Sequence, residues 1–197
     1  ILPESTNLYF CTTNNGVYRE GDTIVHAGIG DSFWKLIRQG NNNLLSEKVF
    51  SALFYPCQES PDLQTILWKK LLINCVINPL TAIHRVKNGE LANDKYQTII
   101  KEVKTDSSFK NKEYIYEVST IAKLEGITLD SKLMLELVKQ VIEKTSKNTS
   151  SMLQDIQNNQ QTEIDYINGY IVKLADQHGL EATVNRDLLL QVKQLQL

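Results

Sequence analysis

The sequence predicts a mainly α protein, a helical domain preceded by a few β-strands. Three observations carry that expectation. Residues 8 to 35 are β-prone and contain turn signals. From Asn41 onward the apolar residues recur with a period of about 3.6 and Gly becomes rare. Within that later stretch, Gly126 and Gly179 stand where glycines close helices. With 197 residues and 42% apolar content, there is material for one sizeable core, or for a core and a fragment of another.

In chain order, Leu8 to Thr13, Val17-Tyr18 and Thr23 to His26 read as strands, and Arg19-Glu-Gly-Asp22 reads as a turn. Asn14-Asn15-Gly16 fits either a second hairpin turn or a bulge in a continuous strand. The change of period places a boundary near Gly40 to Asn43, dividing the chain into residues 1–40 and 41–197. Helices are expected at about 44–54, 61–84, 93–104, 110–125, 130–147, 150–159, 163–178 and 184–196. The clearest is 130–147, where Leu133, Met134, Leu137, Val138, Val141 and Ile142 make one apolar stripe behind a capping Asp130 or Ser131.

The 21 Lys+Arg against 23 Asp+Glu leave a formal charge of -2 and no basic cluster, so nucleic-acid binding is not expected. The most apolar run, Leu71 to Ile83, is cut by Asn74, Asn78 and Pro79 short of the roughly 20 residues a membrane span needs, so no span is expected. Cys11, Cys57 and Cys75 are odd in number without a C-x-x-C pair, and His26, His84 and His178 lack partners at ligand spacing. A reducing cytoplasm and no metal site are the expectation. Ile1 stands where an initiator Met would, without a signal-peptide pattern after it, which suggests a chain beginning partway through a longer protein.

The segment Trp68 to Ile83 is apolar around most of a helix, with one polar stripe. Lys70, Asn74, Asn78 and Thr81 follow at spacings of four, four and three, along one side. Burying an ammonium and two carboxamides is costly unless each is partnered, so such a stripe faces a cleft or a ligand. Alternatively, Lys70 snorkels to solvent and the asparagines bond to neighbouring helices. Pro79 cannot donate to the carbonyl of Cys75, which predicts a kink beside Asn78.

The stretch Trp68-Lys-Lys-Leu-Leu-Ile-Asn-Cys-Val-Ile-Asn-Pro-Leu-Thr-Ala-Ile83, followed by Asn88-Gly-Glu-Leu91, closely resembles the signature of the ketopantoate reductases. Ser150-Ser-Met-Leu-Gln-Asp155 and Thr162-Glu-Ile-Asp-Tyr-Ile-Asn-Gly169 resemble that family's second C-terminal signature, in the same order. The resemblance runs from about Leu8 to the end, with an apparent insertion of about a dozen residues around Asp94 to Phe109. It implies a helical C-terminal domain of the 6-phosphogluconate dehydrogenase-like type, preceded by strands of an incomplete Rossmann-type, NADP-binding domain.

The resemblance further implies roles. Lys70 matches the proton-donating lysine, and Asn74, Asn78 and Asn88 match substrate-binding asparagines. Asn148, Thr149, Ser150 and Ser151 match the segment that holds the substrate; taken by themselves they also read as a helix start. Glu163 matches a glutamate associated with the cofactor and the active-site network, and Val17 falls where a residue lines the nicotinamide pocket. Glu163 behind a capping Thr162 also reads as a first-turn acid held ionised by the helix dipole. Gly169 reads as a close-packing position.

The implied activity is NADPH-dependent reduction of 2-dehydropantoate (ketopantoate) to pantoate, with a small 2-keto acid as partner and a homodimer left open. Hydride reaching a ketone carbon builds charge on its oxygen, which a positioned ammonium stabilises and protonates. The glycine-rich strand, turn and helix of a dinucleotide fold is not found: Gly28-Ile-Gly30 lacks the third glycine. The chain alone is therefore expected not to turn over ketopantoate, and its residues do not distinguish NADPH from NADH. A non-catalytic helical interaction module and a reductase of another 2-keto acid are the alternative readings.

Overall fold

A computed structural model describes residues 3–28, 30–40, 47–101 and 114–196. The expected helix starts at 44 and 110, the helix end at 104 and residues 102–109 of the apparent insertion lie outside that set. The chain forms two compact units, Ile1–Leu67 and Trp68–Leu197.

In the first unit, β1 (Leu8–Thr13) pairs antiparallel with β4 (Ser32–Arg38), and β2 (Gly16–Glu20) with β3 (Thr23–Gly28). The four strands make one long ribbon interrupted at its middle. There Asn14 N donates to the Asp31 carbonyl at 3.0 Å, and Gly30 N donates to Asn15 Oδ1 at 2.7 Å. Asn14-Asn15-Gly16 is thus a break within a ribbon, not a hairpin turn; the turn is at Gly21-Asp22, where Gly21 has a φ of 59°. Gly30 is required at the crossing, because a Cβ there would lie 2.3 Å from the Asn14 carbonyl oxygen. The glycine that resembled part of a phosphate-binding turn is used for backbone packing.

After α1 (Glu47–Leu53) the chain returns as β5 (Cys57–Glu59), parallel to β4, giving the order β1-β4-β5. Phe50 of α1 stacks on Trp34 of β4 at 4.4 Å. These contacts carry residues 47–59 into the first unit, so the units divide later than the change of periodicity near Gly40 to Asn43. A three-residue strand, Cys-Gln-Glu, has too little alternation to be read from sequence.

The second unit is helical: most of α2 (Leu63–His84), then α3 (Asp94–Lys101), α4 (Tyr114–Leu124), α5 (Ser131–Lys144), α6 (Ser151–Gln157), α7 (Asn168–Gln177) and α8 (Thr183–Gln194). Asp130 caps α5, accepting from Lys132 N and Leu133 N at 2.9 Å each. Gly126 and Gly179 adopt positive φ after α4 and α7, as expected. Of the α5 stripe, Met134, Val138 and Ile142 are buried, Leu137 and Val141 are half-buried, and Leu133 is exposed. Leu133 belongs to the first turn, at the rim of the packed face.

α2 is the core helix of this unit, with Leu72, Val76 and Leu80 almost fully buried. By length and composition alone it passes as apolar enough to cross a membrane, Asn74, Asn78 and Pro79 notwithstanding, but half of its most apolar window is buried within the protein.

Pro79 lies inside α2 and has no N–H to give the Cys75 carbonyl. That oxygen accepts instead from Asn168 Nδ2 at 3.0 Å. Asn168 Nδ2 also donates to Asn185 Oδ1 at 3.0 Å, and Asn185 Nδ2 donates to Glu117 Oε2 at 2.9 Å. The Glu117 carboxylate then accepts Val184 N and Asn185 N, two free donors of the first turn of α8. Asn168, Asn185 and Glu117 are all buried, so one polar chain ties α2, α4, α7 and α8 together.

The helix expected over 163–178 is interrupted just before Asn168. Ile164–Tyr166 form a 3-10 turn, Ile167 leaves helical geometry, and α7 starts at Asn168. Gly169 is not a close-packing position: an added Cβ would meet Ile164 O, Asp165 Oδ1 and Leu189 Cδ1 at 3.4–3.6 Å, ordinary contact distances. Asn168→Ala removes the donor from a buried carbonyl and is expected to cost about 1–3 kcal/mol of stability, read by urea denaturation. An unchanged midpoint would show that the Cys75 carbonyl does not depend on it.

Candidate functional site

α2 places Lys70, Asn74, Asn78 and Thr81 along one side, as their spacing dictates. Lys70 and Asn74 are half-buried, Asn78 is 9% exposed and Thr81 is fully enclosed. Burial pulls the Lys70 ammonium below its ordinary range, since the charged form loses hydration; the Glu163 carboxylate opposes this to a lesser degree. The two residues are brought into electrostatic reach across 93 positions of sequence.

Glu163 itself is exposed and precedes the 3-10 turn Ile164–Tyr166. Thr162 Oγ1 accepts from Ile164 N at 3.4 Å, beside a short turn whose N-cap position is Glu163, and not at the start of the long helix expected there. The long-helix dipole therefore does not act on Glu163. A third charged residue joins them. Asp155 of α6 is raised above the usual carboxylate range, first by burial and then by Glu163. Asp155 is not among the site residues expected from the sequence; its position four residues after Ser151, on the same helix side, is the local signal that points to it.

The segment before α6 is held from two directions. On one, Asn88 N donates to the Asn148 carbonyl at 3.0 Å, Gly89 N to the Ser146 carbonyl at 3.1 Å, and Asn88 Nδ2 to Thr145 Oγ1 at 2.9 Å. On the other, Thr81 Oγ1 and Ser150 Oγ lie 2.7 Å apart. Ser150 caps α6 by accepting Leu153 N, and Thr149 accepts from Gln154 Nε2 through its carbonyl. Asn148 and Ser151 are exposed. Asn88 is thus an anchor as well as a site candidate, and its buried Oδ1 has no partner among the described residues.

Val17 lies in β2 of the first unit, paired with His26 of β3. His178 Nε2 meets Glu125 Oε1 at 2.7 Å, and His84 lies against the Tyr96 ring with 5.0 Å between centroids. Among the described residues no group of three or more His, Cys, Asp or Glu is arranged to hold a metal ion. A cavity of about 520 Å³ lined by Ile156, Asn159, Gln160, Gln161, Leu195 and Gln196 includes none of the stripe residues.

Residues 62–196 match the family described as "Ketopantoate reductase PanE/ApbA C terminal". The 2-dehydropantoate 2-reductase of Vibrio cholerae is 34% identical over 194 residues, covering 95% of this chain and 60% of that relative. The chain thus spans about three-fifths of the length of that curated relative. A crystal structure of a probable 2-dehydropantoate 2-reductase from Bacillus subtilis aligns with a TM-score of 0.69 and 28% identity, over 96% of this chain and 61% of that one. A D-mandelate dehydrogenase solved with NADH and anilino(oxo)acetate aligns with a TM-score of 0.79 at 22% identity, over 95% of this chain and 74% of its own, and shares the fold.

Gly89 allows the close approach that holds the 145–148 turn: a Cβ would fall 2.7–2.9 Å from Ser146 atoms, backbone among them. Gly89→Ala is expected to lower stability by about 1–3 kcal/mol through that overlap. Thermal unfolding measures it, and an unperturbed midpoint would show that the turn yields freely.

Proposed function

The chain belongs to the ketopantoate reductase family through its C-terminal domain, and from that premise we propose that it is the substrate-side part of an NADPH-dependent reductase of 2-dehydropantoate. Of the expected division into residues 1–40 and 41–197, the helices of the second unit, Trp68–Leu197, would form the substrate-binding domain, and the strands of residues 1–40 the last of the NADP-binding one. The observation that carries this reading is the half-buried Lys70, its acidity raised by burial, on a polar side of a core helix within reach of Glu163.

The residues divide the work by their chemistry. A nicotinamide cofactor, when bound, supplies the hydride. Lys70 donates a proton to the ketone oxygen as negative charge develops on it, and an ammonium of lowered pKa is the better acid near neutral pH. Asn74 and Asn78 offer donors and acceptors without charge, orienting the substrate and leaving the lysine undisturbed. Asn88 has committed its Nδ2 to Thr145 and would accept a substrate hydroxyl at Oδ1. Asn148, Thr149, Ser150 and Ser151 make the segment that grips the acid, with the exposed Ser151 and Asn148 facing outward and Ser150 holding the segment from within.

Glu163 would accept from a cofactor ribose while restraining the fall of the Lys70 pKa, and Val17 would line the nicotinamide pocket. The described residues offer a dinucleotide no phosphate cradle, Gly30 being packed against Asn14, so NADPH binding is proposed for the longer protein. A cytoplasmic location and a homodimer are part of the same proposal.

Two measurements on the full-length protein test it. Lys70→Ala is expected to lower kcat by about 100- to 10,000-fold in NADPH oxidation with ketopantoate, with the fold intact by circular dichroism. A variant of wild-type rate would sink the assignment, and a higher kcat/KM for another 2-keto acid would reassign the substrate. The proton donor must be charged, so activity falls as pH rises through the Lys70 pKa. Glu163→Gln removes the influence that raises it, and the alkaline limb of kcat/KM is expected to move to lower pH. A limb that stays in place or moves upward would show that Glu163 does not act on Lys70.

A further inference from the structure

We infer that Thr81 is a positioning residue for substrate binding, acting through Ser150; the inference rests on the reductase reading above. Thr81 closes the polar stripe but is fully buried and has no role implied by the resemblance, and its hydroxyl is 2.7 Å from that of Ser150. The hydrogens of this pair have one arrangement that satisfies both. Ser150 Oγ accepts from Leu153 N at 3.1 Å, which leaves its own hydrogen to be donated, and Thr81 Oγ1 is the acceptor in line. Thr81 then donates to the Ile77 carbonyl at 2.7 Å, with the Asn78 carbonyl at 2.9 Å. The reverse direction strands a buried Ser150 hydrogen, an arrangement that costs free energy.

The chain of bonds runs Leu153 N–H to Ser150, Ser150 to Thr81, and Thr81 to α2. It joins the first turn of α6 to the helix that carries Lys70, Asn74 and Asn78. The opposite end of the same segment is held by Asn88 and Gly89 on the carbonyls of Asn148 and Ser146. Asn148 to Ser151 is therefore pinned at both ends, and Thr81 sets the end nearest the polar stripe. Loss of its hydroxyl moves the acid-gripping segment without touching the proton donor. That predicts weaker binding of substrate with unchanged chemistry.

The test is steady-state kinetics of the full-length protein with NADPH and ketopantoate, on Thr81→Val, Thr81→Ser, Ser150→Ala and the Thr81→Val/Ser150→Ala double variant. Thr81→Val, which keeps the shape and loses the hydroxyl, is expected to raise KM about five- to tenfold with kcat within about twofold of wild type. Thr81→Ser is expected to restore KM to within about twofold. The double variant should be no worse than Ser150→Ala alone, because both remove one bond. An unchanged KM in Thr81→Val, whatever happens to its melting temperature, overturns the inference, as does a rise that Thr81→Ser shares or effects that add in the double variant. If Thr81→Val does not fold, Ser150→Ala decides, and an unchanged KM there overturns it. A wild-type protein that turns over no 2-keto acid removes the reductase reading and this inference with it, a result distinct from every variant outcome.

Discussion

The carbonyl of Cys75, left without its helical partner by Pro79, is the constraint around which the second unit is organised. A core helix cannot bury an unpaired carbonyl at no cost, so another donor must reach it. Asn168 does so, and its remaining hydrogen draws in Asn185, which in turn engages Glu117. Because Glu117 also accepts the first backbone donors of α8, a defect in one helix is discharged at the end of another. Removal of any member leaves the others buried and unsatisfied, so the network holds α2, α4, α7 and α8 in one arrangement.

The polar side of α2 depends on that arrangement. Lys70, Asn74 and Asn78 have fixed positions only because the helix carrying them is locked on its other faces by Leu72, Val76 and Leu80 and by the Asn168 bond. The charges around Lys70 are then balanced by distance and burial: partial dehydration lowers its pKa, and Glu163, exposed and less strongly coupled, limits the fall. Asp155, raised by burial and by the same glutamate, completes the group. An ammonium fully paired in the interior would be a poor acid, and one fully in water would keep its ordinary pKa.

Two clamps hold the segment before α6. Gly89 and Asn88 approach the 145–148 turn closely enough that backbone meets backbone. Thr81 and Ser150 join hydroxyl to hydroxyl in the interior. One clamp starts on α2 itself, at Thr81, and the other in the 3-10 segment that follows it, at Asn88 and Gly89, so residues at and just beyond the C-terminal end of the polar stripe place the segment before α6.

Much of this was legible in the sequence because it is written in local periods. The stripe at 70, 74, 78 and 81 follows from the pitch of a helix, the capping Asp130 and the closing glycines from the bonds a helix end lacks, and the strands from β-prone runs between turn residues. The missing N–H of Pro79 was equally legible, since proline carries that property wherever it stands. What answers it was not. Asn168 is 93 residues away and reads locally as the interior of one helix, yet it is the first residue of α7 and bonds the Cys75 carbonyl. β5 joins a sheet through three residues without alternation, and Glu163 comes within electrostatic reach of both Lys70 and Asp155 only after α6 and the turn at 164–166 have been placed. Helical pitch and the chemistry of proline make it readable from the chain which groups face a common side and which carbonyl lacks a donor; the partners follow only from the folded arrangement, because hydrogen bonds and electrostatic fields act through space between segments whose separation along the chain carries no period.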